Sequence, residues 1–142
     1  MVSRVLHSHR DHPQLSGALF ACWLIQSCLP GLGHAQATSP ITSSGLNTTV
    51  TKNGNVYDIT GGTRPGSGSN LFHSFGEFGV PTSTIANFQN ETALPTSNIL
   101  GRVTGVNPSN IFGTIQTTGF GSANLFLMNP AGIVFGPNAS LN

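Results

Sequence analysis

Past Ala37 the chain holds a single histidine, His73, and the carboxylates Asp58, Glu77 and Glu91. A serine hydrolase needs an imidazole held between a carboxylate and a nucleophile, and no nucleophile motif places a serine beside His73. A glycosidase needs two matched carboxyl groups, whereas these three fall in dissimilar contexts. One histidine without cysteine in the same segment cannot furnish a zinc site, so neither metal nor cofactor is expected, and no enzymatic activity. The stretch Gly61-Gly62-Thr63-Arg64-Pro65-Gly66-Ser67-Gly68-Ser69 invites comparison with phosphate-cradling loops, but no Gly-Lys-Ser/Thr follows and no G-x-G-x-x-G is complete. His73 lies inside Asn70-Leu71-Phe72-His73-Ser74-Phe75-Gly76-Glu77-Phe78 and reads as a packed or partly exposed capping side chain. Three sequons, at Asn47, Asn90 and Asn138, are what chance supplies in a chain so rich in Asn, Thr and Ser.

The chemistry of the segment is therefore that of its backbone and amides, which turns attention to the elements. With 142 residues, 37% hydrophobic, 6% charged and a net charge of +1, the chain has room for one ordinary domain and no basic stripe for nucleic acid. Eighteen Gly and nine Pro argue against long helices and for an all-β fold. Thr49-Val50-Thr51-Lys52 and Asn55-Val56-Tyr57-Asp58-Ile59-Thr60 flank Asn53-Gly54, a pair suited to the positive φ angles of a type I′ hairpin turn. Phenylalanine at every third position from Phe72 to Phe78 fits no clean strand and predicts a short helical turn or irregular cap. Strand-sized apolar runs follow at Thr84–Phe88, Ile99–Val103, Ile111–Ile115, Asn124–Met128 and Ile133–Phe135, each closed by a turn signal. Their spacing is too irregular to establish repeats, and apolarity on both faces suits a stacked β-helix and a sandwich equally.

The start of the chain reads as an address. Arg4 and Arg10 precede the apolar run Leu15–Leu29, which ends in Pro30 and then Ala35-Gln36-Ala37, the pattern of a secretory signal peptide over residues 1–37. Cleavage is expected after Ala37, with Ala35 as the near alternative. The run is shorter than the roughly 20 residues of a membrane span, so no stable span is expected once the leader is gone. Cys22 and Cys28 leave with it, and what remains is neutral: Lys52, Arg64 and Arg102 balance Asp58, Glu77 and Glu91.

Near the carboxyl end, Asn129-Pro130-Ala131-Gly132-Ile133 has a reading of its own: Pro130 fixes φ, Gly132 takes a conformation other residues resist, and Asn129 bonds its own turn. That makes a rigid corner from which Ile133 and Phe135 point inward. With its flanks Asn124–Met128 and Val134-Phe135-Gly136, the segment resembles the amino-terminal two-partner secretion domain of filamentous haemagglutinin-like proteins, whose hallmark is Asn-Pro-Asn-Gly-Ile. Asn70–Phe75 and Arg102–Ile111 support the resemblance, which spans roughly residues 40 to 142. A second family element, Asn-Pro-Asn-Leu, has no clear counterpart; Asn107-Pro108-Ser109-Asn110 looks similar but is assigned to another family segment.

The resemblance implies a right-handed single-stranded parallel β-helix of the pectin-lyase-like kind, with an amino-terminal hairpin and strand cap, here cut short on its carboxyl-terminal side. It further implies passage through the periplasm of a Gram-negative-type envelope to the outside or the cell surface. The expected partner is an outer-membrane barrel transporter with periplasmic modules, binding the domain before it folds, with host or surface glycans as a second class. Exposed backbone groups in an unfolded, Cys-free chain suit addition to a partner's sheet, and stacked coils then satisfy the same groups. The expected function is a secretion and folding-nucleation module of an exoprotein or adhesin. A carbohydrate-binding adhesin surface is the alternative, and part of a polysaccharide-cleaving β-helix enzyme is third. Asn129, Pro130, Gly132 and Ile133 are the candidate corner and transporter contact, with a structural role favoured.

Overall fold

The computed structural model describes residues 40–142. The expected leader, with Ala35 and Ala37, lies outside the described residues. Short stretches rich in Thr, Ile, Val and Phe, broken every few residues by Gly, Asn or Pro, form strands too short for anything but stacking. Among the described residues the one helical element is a 3-10 turn at Pro65–Ser67.

The strands wind into a parallel β-helix of about three turns. One wall stacks β3 (Val56–Gly61), β5 (Ile85–Gln89), β8 (Thr114–Thr118) and β11 (Ser140–Leu141) in parallel. The second wall stacks β4 (Asn70–Glu77), β6 (Asn98–Val103) and β9 (Asn124–Met128). The third pairs β7 (Ser109–Ile111) with β10 (Ile133–Phe135), above a bridge from Val80 to Ile111. Apolar periodicity left sandwich and β-helix open; coil-on-coil parallel register decides for the β-helix, since sandwich sheets are antiparallel. The first coil is closed by antiparallel strands, β1 (Thr42–Ser43) on β4 and β2 (Thr48–Asn53) on β3.

Three local expectations change. The phenylalanine segment is a regular eight-residue strand, β4, not a helical turn or cap. Its inward set is Leu71, His73 and Phe75, while Phe72 faces out and Phe78 lies beyond the strand. The period-two signal was present but ran through a histidine. The run Ile111–Ile115 is not one strand: it breaks at Phe112-Gly113, and Ile111 and Ile115 belong to different walls. In the hairpin, Asn53 is the last paired residue of β2, opposite Val56, so the turn is Gly54-Asn55 rather than Asn53-Gly54. Only Gly54 has positive φ, at +60°, the requirement of a type II′ turn at its first central position.

The core runs along the axis. Ile59, Phe75, Phe88, Ile99, Val103 and Ile111 are fully buried, and Phe78 and Val80 fill the corner after β4. Phe75 packs edge-on to Phe78 with ring centroids 5.0 Å apart, and Phe88 caps both at about 6 Å.

Candidate functional site

The third wall begins each time with an Asn-Pro corner, and these corners are stapled to one another. In the upper one, Gly132 N–H donates to Asn129 O at 3.0 Å, closing a turn with Pro130 at its first central position. Asn129 Oδ1 accepts from Ala131 N–H at 2.9 Å. Gly132 sits at φ +103°, which side-chain-bearing residues resist. Asn129 Nδ2 reaches down to Asn107 O at 3.0 Å and Ser109 Oγ at 2.9 Å, and Ser109 N–H donates to Gly132 O at 2.9 Å. Asn107-Pro108-Ser109-Asn110 is thus the corner one coil below. Its own asparagine repeats the device, Asn107 Nδ2 donating to Glu77 Oε1 at 3.1 Å. Pro130 and Ala131 are exposed, and Ile133 packs against the core. Phe135, aligned with buried Ile111, is 57% exposed because no described strand lies above it.

Two further ladders escaped the sequence reading. On the second wall Asn98 Nδ2 donates to Asn70 Oδ1 at 2.8 Å, and Asn124 Nδ2 to Asn98 Oδ1 at 3.1 Å, with sequence separations of 28 and 26. The signal was legible, since Asn70-Leu71-Phe72, Asn98-Ile99-Leu100 and Asn124-Leu125-Phe126 each open a strand with the same pattern. On the first wall Asp58 collects amides: Asn53 Nδ2 at 2.9 Å and Asn87 Nδ2 at 3.0 Å, together with Gln89 Nε2. Thr118 Oγ1 then donates to Asn87 Oδ1 at 2.8 Å. Asp58 and Glu77 accept only, so the direction of both columns is fixed: later coils donate and the first coil receives.

His73 is 1% exposed and stands between Phe75 and Phe88. Thr48 Oγ1 accepts Ser74 N–H at 3.0 Å and shares a hydrogen bond with His73 Nδ1 at 3.4 Å. Nε2 is buried without a hydrogen-bond partner. Burial, and secondarily the positive charge of Arg64, push the imidazole pKa down from 6.5 to about 4. At neutral pH it is an uncharged packing group that ties β2 to β4. Asp58, engaged by three amides on the outer surface, does not contact it. Among the described residues no cluster of three His, Cys, Asp or Glu side chains could hold a metal, and no helix is long and apolar enough to cross a membrane.

A neutral, N-capped parallel β-helix with stapled Asn-Pro corners defines a protein of the β-solenoid class. The family model of the TPS secretion domain matches residues 35–142, and the chain belongs to that family, the amino-terminal domain of two-partner secretion. Comparison with curated proteins finds no match. Membership makes this a secretion module rather than a member of an enzyme family, and implies an exported exoprotein served by an outer-membrane transporter.

Proposed function

We propose that this domain is what its own outer-membrane transporter recognises in the periplasm, still unfolded, and that it then folds first outside the cell as a template for an adhesin. The observation that carries the reading is the joining of a TPS match over residues 35–142 to a first coil that is closed below and offers acceptors above. The match opens at the Ala35-Gln36-Ala37 end of the leader, which supports residues 1–37 as a removed signal peptide. Unfolded, the strands offer their backbone groups to a partner's sheet edge; folded, they spend them on one another.

Asn129, Pro130, Gly132 and Ile133 serve export through folding. Asn129→Ala removes two downward donations and the turn acceptor, and Gly132→Ala forces a side chain into positive φ; each is expected to lower stability by about 1–3 kcal/mol. Export into the medium, measured with the transporter co-expressed, then falls in step with the loss of stability. Ala131→Ser and Ala131→Gln alter exposed surface only and are expected to leave both stability and export near wild type. If instead these two variants abolish export while melting normally, the corner is read directly by the transporter and the structural assignment fails.

A further inference from the structure

We propose that Asn53 is a modification site: in the folded domain it deamidates without an enzyme, through attack by the backbone nitrogen of Gly54, and the product loosens the cap of the first coil. Asn53-Gly54 is the one Asn-Gly pair in the chain. Every other asparagine before Asn142 is followed by a residue with a side chain, and Asn107 and Asn129 precede prolines, which have no N–H to attack with. The pair sits at the tip of the β2–β3 hairpin, where Asn53, Gly54 and Asn55 are all exposed. The strand ladder ends at the Asn53–Val56 pair, and Gly54 N–H has no hydrogen-bond partner among the described residues. Space around it is open, since a Cβ built on Gly54 would meet nothing within 4 Å.

The reaction balances with water alone. Gly54 N gives its proton to solvent and bonds to Asn53 Cγ; the Cγ–Nδ2 bond breaks and ammonia leaves with a proton from solvent, which closes a five-membered succinimide. Water then opens the ring at either carbonyl, giving aspartate or isoaspartate. Glycine favours the attack because no side chain shields its nitrogen and its backbone turns freely. The product matters because of what Asn53 holds. Its Nδ2 donates to Asp58 Oδ2 at 2.9 Å, while Asn87 and Gln89 donate to the other carboxylate oxygen. After deamidation an acceptor stands where the donor was, and two carboxylates face each other across the hairpin. Isoaspartate also adds a methylene to the main chain and displaces the Asn53–Val56 pairing. Both changes fall on β2, the strand that covers the first coil on the first wall, and the neutral segment beyond Ala37 gains a negative charge.

The purified full chain, held at pH 8 and 37 °C in native buffer and separately in denaturant, is followed by ion exchange, ammonia release and peptide mapping. The native sample is expected to release ammonia and to accumulate an acidic form whose map shows two isomers at Asn53. Asn53→Gln, which could react only through a larger ring, should melt as wild type does and lose this acidic form. Asn53→Asp should melt about 4–8 °C lower, as should the aged protein. Conversion confined to the denatured sample overturns the proposal, because the hairpin then shields Asn53, and so does ammonia lost first from another asparagine. An Asn53→Asp protein that melts with wild type overturns the link to the cap. Each reading is made on purified protein, so the export reading stands or falls separately.

Discussion

His73 shows how one buried side chain sets the conditions under which the domain holds together. Its folded pKa lies near 4, against 6.5 for the free side chain. Between those values the unfolded chain carries the extra proton, so the contribution of His73 is complete above pH 6.5 and is lost as pH falls toward 4. A shift of that size corresponds to at most about 3 kcal/mol. Chemical denaturation at pH 7 and at pH 4.5 should therefore show a markedly less stable protein at the lower pH. The charge has nowhere to go, because Nε2 is enclosed without a partner and Arg64 repels it. His73→Leu, which keeps the volume but removes the titration, should flatten this drop even if it costs the Thr48 contact. A wild-type curve that stays level from pH 7 to 4.5 would show the imidazole to be freely protonated in the fold.

At the scale of elements, polar columns join the core in holding neighbouring coils together. Asp58 is the floor of one column, and Asp58→Ala leaves the amides of Asn53, Asn87 and Gln89 without their acceptor. The expected cost is about 1–3 kcal/mol in denaturant melts, with Asp58→Asn milder because its Oδ1 can still accept from Asn87 and Gln89 and only the Asn53 bond is lost. Gly101 tests the same stacking from inside. A Cβ there would lie 3.1 Å from Phe75 Cε2 and 3.3 Å from Leu127 Cδ1, so Gly101→Val should destabilise by roughly 1–3 kcal/mol through overpacking between coils. Much of this architecture was written in the order of residues. The hairpin strands, most of the apolar runs and the Asn-Pro corner were visible because turn formers bound them. Strand β4 was misread because its inward face includes His73, and a count of phenylalanines alone gives a period of three. The asparagine ladder was missed for another reason: its members lie 28 and 26 residues apart, and loops of unequal length blur a repeat that only the stacked register restores.

At the largest scale, the described residues form a coil with two unlike ends. Below, β1 and β2 run antiparallel to the first coil and cover its strands. Above, β9 and β10 have a partner on one side only, and Ile115, Leu125, Leu127, Ile133, Phe135 and Leu141 line an open mouth of about 580 Å³. Leu141 is 67% exposed. Unpaired strand edges beside exposed apolar side chains are templates for association. Because the exposed apolar side chains of the described coil gather at this end, a second copy is expected to meet the face with its own. Such a contact is isologous and closes at the dimer instead of growing into a fibre. Sedimentation velocity on the purified 142-residue chain should therefore show a monomer–dimer equilibrium that shifts with concentration. Phe135→Lys and Leu141→Lys, which place charge in the mouth without touching the coil below, should return it to monomer with the melting profile kept. Open-ended growth would mean that the antiparallel cap does not close the lower end, and a wild type that stays monomeric as concentration rises would mean that the mouth is not adhesive at all.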